Sequence, residues 1–161
     1  MGALLMQPDD SSLLVIFRLD KVRYAIPLDC VNRVIRSVKL TPLPSGSNHI
    51  CGVINMHGTI LPVIDTRHVL GLSPKEIELD DVYIIAQTSK RTVVLIADSV
   101  DQVVGIANNQ ITNSMDIIPE LELLSGLTRL DNDIVLIQDI EKCLTEDDLL
   151  FIDTETAEVG A

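Results

Sequence analysis

Aromatic residues are scarce in this chain of 161 residues, which has two phenylalanines, two tyrosines and no tryptophan. Its core must therefore be built from valine, isoleucine and leucine, within a composition that is 47% hydrophobic and 22% charged. This balance is typical of a globular domain and unlike that of a disordered chain. The scarcity also removes the aromatic platforms on which single-stranded nucleic acids stack.

Basic residues are also few, with 12 Lys and Arg against 24 Asp and Glu, giving a formal charge of −12. Such a chain should repel phosphate backbones and anionic lipid surfaces, which argues against nucleic acid and membranes as partners. Its apolar runs are only strand-sized, and no basic residue precedes Arg18 to begin a signal peptide. We therefore expect a cytoplasmic protein without direct membrane insertion.

Cysteine is limited to three residues, Cys30, Cys51 and Cys143, which lie far apart in the sequence and among apolar neighbours. An odd number at wide spacing does not suit a disulfide framework. The pattern predicts buried, reduced thiols with a structural role.

Sequence motifs of catalysis are missing as well. There is no G-x-S-x-G elbow, no Walker A loop and no G-x-G-x-x-G phosphate loop. The histidines at positions 49, 57 and 68 have neither a close partner nor a cysteine at metal-ligand spacing. Asp65 and Asp98 end apolar strands, where a carboxylate more often accepts backbone N–H groups at a turn than catalyses a reaction. We expect no catalytic residue, no metal and no cofactor, which leaves a binding module.

Short apolar runs separated by turn signals predict a mainly β fold. LLVIFRL at 13–19 and RYAIP at 23–27 flank a polar turn, and seven further runs follow. Helix is expected in short pieces and at the C-terminal end, where IEKCLTEDDLLFI at 140–152 has an imperfect helical stripe. We predict a flexible lead over residues 1–12, one domain over 13–152, and an acidic, flexible tail over 153–161.

Two pairs of similar segments occur in the same order along the chain. LDCVNRVI at 28–35 resembles ADSVDQVV at 97–104, and GVINMHGTILPVID at 52–65 resembles GLTRLDNDIVLIQD at 126–139. A repeated order of this kind indicates duplicated structural units. The sequence therefore predicts two small β subdomains of similar build.

The repeat also interprets the polar interruption in the apolar run around position 57. His57 and Gly58 align with Asp131 and Asn132, residue types that are common in tight turns. We therefore predict a hairpin turn with Gly58 as a structural turn residue. Pro62 cannot donate to a sheet ladder, so the outgoing strand is predicted to be an edge strand or bulged there.

Four stretches together resemble the CheW-like adaptor domain family of bacterial and archaeal chemosensory systems. They are IFRLDKVRYAIPLDCVNRVI, ICGVINMHGTILPVIDTRHVLGL, VVLIADSVDQVVGI and GLTRLDNDIVLIQDIEKCL. The second is similar to the family signature G-V-I-N-L-R-G-x-x-x-P-V-x-D-L-R. The resemblance implies one CheW-like domain made of two intertwined, similar five-stranded SH3-like β-barrel subdomains around a shared apolar core.

The resemblance also implies a function without catalysis. Members of the family join the regulatory domain of the histidine kinase CheA, itself CheW-like, to the cytoplasmic tip of a methyl-accepting chemoreceptor. Two other functions remain open for this chain. One is a regulator that binds only the kinase regulatory domain, and the other is a ligand-binding β-barrel.

Residues of two binding surfaces carry over from the family. Val31 and Gly52 match its kinase-facing positions, and an exposed apolar patch around Val31 would form the interface core. The receptor-facing residues would be Arg33, Asn55, Met56 and His57.

Two of the receptor-facing positions depart from the family pattern. Arg33 stands where the family usually has an acidic residue, and His57 stands where it usually has arginine. One acidic position has thus become basic, and one permanent cation has become a histidine, a residue type that is mostly neutral at pH 7. These departures predict an altered choice of receptor.

Overall fold

Eleven strands form two β-sheets in the computed structural model, which describes residues 11–43, 49–113 and 123–143. The strands are β1 (Ser11–Leu19), β2 (Val22–Pro27), β3 (Val31–Arg36), β4 (Ile50–Met56), β5 (Thr59–Ile64), β6 (Val82–Gln87), β7 (Thr92–Ala97), β8 (Ser99–Ala107), β9 (Thr112–Asn113), β10 (Leu124–Leu130) and β11 (Asp133–Gln138). A short helix, α1 (Thr66–Val69), follows β5, and 3-10 turns span Leu28–Cys30, Asn108–Gln110 and Ile140–Lys142. The predicted mainly β fold is confirmed.

The two sheets share one pattern of strand connections. The first sheet has the order β8-β1-β2-β11-β10-β9, and the second has the order β3-β6-β7-β5-β4. In each, three antiparallel strands join a hairpin through one parallel pair, which is β2 with β11 in the first sheet and β7 with β5 in the second. The segments that the sequence repeat aligns, β3 with β8 and β4–β5 with β10–β11, therefore hold equivalent places in the two sheets.

Neither sheet closes through a direct ladder between its edge strands within the described residues, and the first has a sixth strand, β9. The predicted pair of five-stranded closed barrels is therefore not found. Instead, the chain that leaves one edge strand bonds to the opposite edge. Thr41 pairs with Val53 of β4, and Thr112 pairs with Leu127 of β10.

The strand β1 begins at Ser11, within the lead that the sequence predicted over residues 1–12. Ser11 and Ser12 belong to β1 because they pair with Ala107 and Ile106 of β8. At the other end, the structure describes a 3-10 turn at Ile140–Lys142 within the segment predicted as a C-terminal helix, and the rest of that segment and the predicted acidic tail lie outside the described residues. No helix among the residues described is long and apolar enough to cross a membrane.

Apolar side chains form three clusters. The central cluster joins the two sheets and includes Phe17 and Ile26 from the first, with Ile84 and Leu95 from the second. A first-sheet cluster around Leu14 covers the other face of that sheet. The second-sheet cluster covers the other face of the second sheet and consists of Ile54, Leu61, Val63, Tyr83, Ile85 and Val94. The shared apolar core implied by the family resemblance corresponds to the central cluster.

Pro62 lies on an interior strand, so the prediction of an edge strand or a bulge at this residue is wrong. The strand β5 lies between β4 and β7, but its ladder to β7 begins only at Val63. On the other side Pro62 faces Val53, whose N–H and C=O bond to Thr41 at 2.8 and 2.9 Å rather than to β5. The missing N–H of Pro62 therefore removes no bond from either ladder.

Candidate functional site

The β4–β5 hairpin brings several of the predicted site residues together at its tip. His57 and Gly58 form its two-residue turn with φ of 52° and 88°, so the predicted turn is confirmed. Positive φ at both positions is what a type I′ turn requires, and glycine adopts it without steric cost. Asn55 Oδ1 accepts a hydrogen bond of 2.8 Å from the backbone N–H of Gly58. Asn55 and His57 are exposed, whereas Met56 is half-buried.

Arg33 lies on the opposite edge strand of the second sheet but borders the same apolar cluster as Met56. It is paired in register with Ile85, a member of the second-sheet cluster. Opposite residues of an antiparallel pair project from the same face, so Arg33 points to the side on which Ile35 and Met56 pack. No hydrogen bond or ion pair between Arg33 and His57 occurs in the part of the chain that the structure describes.

Val31 is less exposed than predicted, because it packs against the central cluster and is half-buried. In the β3–β6 register, Val31 and Val34 lie opposite Ala86 and Ile84, so the two valines share one face of the strand. Val34 is 42% exposed. The exposed apolar surface of β3 is therefore supplied chiefly by Val34, which the sequence reasoning did not single out.

Gly52 is buried and lies in a bulge of β4, where the register to β5 shifts between Ile50 and Gly52. A Cβ atom here would collide with the carbonyl oxygen of Thr41 and lie 2.9 Å from Cγ of Leu40. The absence of a side chain lets the segment after β3 cross β4 at this point. Gly52 can thus affect an interface through backbone position rather than through a contact of its own.

Gly52→Ala is expected to lower the free energy of unfolding by at least about 1 kcal/mol, because the added methyl group must displace the backbone of Thr41. Gly105→Ala is the matched control, since a Cβ there meets only Leu13 Cδ2 at 3.6 Å. That variant should retain the stability of the parent within about 0.5 kcal/mol. Urea denaturation of both variants measures the difference, and equal stabilities would contradict a structural role for the bulge.

Arg67 is a buried cation that the sequence reasoning overlooked. It lies on α1, whose first turn is capped by Asp65, as the sequence predicted. The Asp65 carboxylate accepts a hydrogen bond of 3.2 Å from the backbone N–H of His68. The guanidinium donates to Asp20 at 2.6 Å and to both oxygens of Asp98 at 2.7 and 2.8 Å. Asp20 lies in the β1–β2 turn and Asp98 between β7 and β8. Arg67 therefore ties the second sheet to a turn of the first.

The ion pairs of this group outweigh the cost of burying its charges. Burial alone would lower the pKa of Arg67, but hydrogen bonds to Asp98 and Asp20 raise it above its ordinary value. Burial alone would raise the pKa of Asp98, but hydrogen bonds from Arg67 and from the backbone N–H of Asp20 lower it. The only signal in the sequence was an arginine two residues after Asp65, within the stretch that resembles the family signature.

A cavity of about 190 Å³ beside Arg67 is lined mainly by charged groups that already pair with one another. Lys75 Nζ lies 3.6 Å from Asp98 and 4.0 Å from Asp81. Lys75 thus partly neutralises the carboxylates that line the cavity.

The cysteines are free thiols, as predicted, but only one of them is buried. Cys143 is buried, whereas Cys30 and Cys51 are half-buried. Burial raises the pKa of Cys51 to about 12 and that of Cys143 to about 12, and burial with the nearby Asp29 carboxylate raises that of Cys30. A raised pKa disfavours the thiolate, which is the nucleophile and the metal ligand.

Two histidines that are distant in sequence lie side by side in space. The rings of His49 and His68 are 5.5 Å apart in an edge-to-face arrangement, a contact that their spacing in the sequence does not indicate. The contact arises because β5 and α1 bring His68 back beside His49, which directly precedes β4. Over residues 11–43, 49–113 and 123–143, no group of three His, Cys, Asp or Glu side chains is placed to hold a metal ion.

One family of proteins is similar to this chain along most of its length. A family model described as the CheW-like domain matches residues 13–148. The chemotaxis protein CheW of Thermotoga maritima is 31% identical over 132 residues, which cover 81% of this chain and 85% of the relative. A probable chemotaxis protein CheW of Rhizobium etli is 27% identical over 145 residues, covering 89% of each chain.

A solved structure agrees with these sequence matches. The scaffolding protein TtCheW from Thermoanaerobacter tengcongensis has a TM-score of 0.78 and 25% sequence identity, covering 85% of this chain and 94% of that one. The matched region contains both sheets, the β4–β5 hairpin and Arg67. The chain therefore belongs to the CheW-like domain family.

Proposed function

We propose that this protein is a non-catalytic chemotaxis adaptor of the cytoplasm, which couples a CheA-type histidine kinase to chemoreceptors. The observation that carries the proposal is the family match over residues 13–148, with relatives named chemotaxis protein CheW. The similar solved structure is described as a scaffolding protein. A scaffold needs separate surfaces for its partners, and Arg33 projects from the face of β3 opposite to that of Val31 and Val34.

The kinase regulatory domain contacts the face of β3 that carries Val31 and Val34. This strand pairs with β6 on one side only, and Val34 is 42% exposed, which supplies an apolar centre for an interface. Gly52 contributes by allowing Leu40 and Thr41 to pack closely over β4.

Titration with the purified kinase regulatory domain tests this function. Val31→Asp is expected to weaken binding at least tenfold, about 1.4 kcal/mol, because binding must desolvate the new carboxylate. Since Val31 also packs against the central cluster, Val34→Asp is measured beside it as a variant with the same charge on the same face at an exposed position.

Both variants should lose affinity while keeping the circular dichroism spectrum of the parent. Unchanged affinity of both folded variants would remove β3 from the kinase interface. A loss confined to Val31→Asp and accompanied by a lower melting temperature would assign the effect to destabilisation. Absence of binding by the unaltered protein would overturn the adaptor function itself.

The receptor tip docks at the rim of the second-sheet cluster, against Arg33, Asn55, Met56 and His57. A second candidate function, a regulator that binds the kinase alone, is favoured by Arg33 and His57, which lack the usual family charges. A pull-down with receptor tips separates the two functions, since only the adaptor retains both partners.

For the fold, we infer that each sheet is curved into an SH3-like barrel. The support is the bonding of the chain after each edge strand to the opposite edge, at Thr41 with Val53 and at Thr112 with Leu127. The two barrels would be intertwined because β1 and β2 pair with strands from the far end of the domain.

A further inference from the structure

Acidic residues are missing from one long interval of this acidic protein. None of its 24 Asp and Glu residues occurs between Asp29 and Asp65, whereas Arg33, Arg36 and Lys39 lie within this interval. The interval has a formal charge of +3, while the rest of the chain has nine Lys and Arg against all 24 acids. The second sheet therefore carries a patch of the sign opposite to that of the whole molecule.

The three cations lie on β3 and directly after it, at an edge of the second sheet. All three residues are exposed, and none forms an ion pair with a carboxylate in the described parts of the chain. Other cations are paired, namely Arg18, Arg23, Arg67, Lys75 and Lys142. The cations of β3 are thus available to an external partner.

Exposed apolar residues adjoin these cations in a groove of about 330 Å³. Val38 is 45% exposed, Ile77 is 37% exposed and Leu79 is 88% exposed, and all three line this groove together with Lys39. Glu78 also lines it, with its carboxylate 3.8 Å from Lys75 Nζ. An apolar centre with unpaired cations along one border is the composition of a docking site for an amphipathic acidic segment.

We propose that this groove and the neighbouring cations, together called the basic groove, dock an acidic helix of the receptor tip. Apolar residues of the helix contact Val38 and Leu79, and its carboxylates face Arg33 and Lys39. The proposal rests on the proposed adaptor function and adds the charge of the receptor that this chain accepts. Arginine favours this assignment, because its guanidinium pairs with a carboxylate through two parallel hydrogen bonds.

The opposing explanation is that the cations only protect an edge strand from pairing with another copy of the chain. In that case their reversal would promote self-association and leave receptor binding unchanged. Arg33 lies on the face of β3 opposite to Val31 and Val34, together with Ile35, whose register partner Tyr83 lines the groove. Arg36 is in register with Val82 and shares the face of the two valines, so it is left unaltered in the test and the two partners can be examined independently.

Two receptor-tip hairpins serve as probes, identical except that the charged residues bordering the contact stripe are all glutamate in one and all lysine in the other. The protein is expected to bind the glutamate form at least tenfold more tightly, with an advantage that shrinks as salt is added. The double variant Arg33→Glu and Lys39→Glu should reverse the preference. The control Lys21→Glu and Lys90→Glu makes the same change in net charge at exposed positions elsewhere and should retain the preference for the glutamate form.

Equal binding of the two probes, or binding of neither, would overturn the basic groove as a receptor site. Self-association of the Arg33→Glu and Lys39→Glu variant with an unchanged probe preference would overturn it in favour of edge protection. Titration with the kinase regulatory domain runs in parallel. If the unaltered protein still binds the kinase in those cases, the adaptor function is retained. If the unaltered protein binds neither the kinase nor a receptor probe, both the adaptor function and the basic groove are overturned.

Discussion

Arg67→Leu is expected to lower the free energy of unfolding by about 3 kcal/mol, near the lower limit for breaking a buried ion pair. The loss arises because the guanidinium of Arg67, whose side chain is only 9% exposed, bonds two carboxylates, so that Asp98 keeps its charge without its main partner. Asp20, at 53% exposure, is largely solvated and contributes less. Arg18→Leu is the matched control, since Arg18 pairs with Asp101 at 2.7 Å but is 36% exposed.

The control variant should lose no more than about 1 kcal/mol, as is usual for surface pairs. Urea denaturation followed by circular dichroism compares the two, because the chain has no tryptophan for fluorescence. Equal losses in the two variants would contradict the assignment of Arg67 as the tie between the sheets.

The same ion pair gives a dependence of stability on pH. Asp98 has a pKa below its ordinary value of 3.8, so it binds a proton more readily in the unfolded chain. Its contribution is therefore complete above the ordinary value and is lost as the pH falls toward and through the lower pKa of the folded state. Arg67→Leu should make the acid limb of the stability curve shallower, and an unchanged limb would assign the acid dependence to other carboxylates.

The double substitution Arg33→Glu and His57→Arg is expected to raise affinity for a standard receptor tip at least thirtyfold, about 2 kcal/mol. A tip matched to the usual family charges would present its own basic group to Arg33, and like charges at an interface can cost several kcal/mol. The double variant removes that repulsion and restores the cation at the hairpin tip.

Affinity for the kinase regulatory domain should stay within about twofold, because the Val31 and Val34 face of β3 is unaltered. Both substituted residues are exposed, so the competing explanation is a solvated rim whose charge pairs contribute only about 0 to 1 kcal/mol. Titration of the parent and the double variant against both partners decides between them. Receptor affinity that does not rise, or kinase affinity that falls with it, would show that these positions do not set receptor choice.

Local features of the fold were predictable from sequence because they depend on neighbouring residues. The turn at His57 was identified through its alignment with Asp131, and Asp131 and Asn132 indeed have φ of 53° and 64°. Strand positions followed from apolar runs in the same way. Pairing between strands was not predictable, because an apolar run does not specify which other strand it will pair with. Nothing in the sequence of β1 indicated that it would pair with β8.

Details of the candidate site depend on burial, which sequence does not reveal. Val31 and Val34 are the same residue type on one strand, yet one packs against the central cluster and the other is exposed. Arg67 in isolation resembles a solvated charge. Its burial follows from the position of Asp20 in a turn of the other sheet, a contact across 47 residues of sequence.

The interleaved sheets also set the order in which the chain can fold as it is synthesised. The second sheet is complete once Ala97 has been made, but β1 and β2 must wait for β8 and β11, their partners in the first sheet. Ser11 pairs with Ala107, so this ladder forms only after a long loop closes, which is slow. Until then the outer edges of β1 and β2 lack their partner strands, although one apolar face of this hairpin can pack on the second sheet. A nascent chain halted at β7 would therefore expose two unpaired strand edges, which favours aggregation.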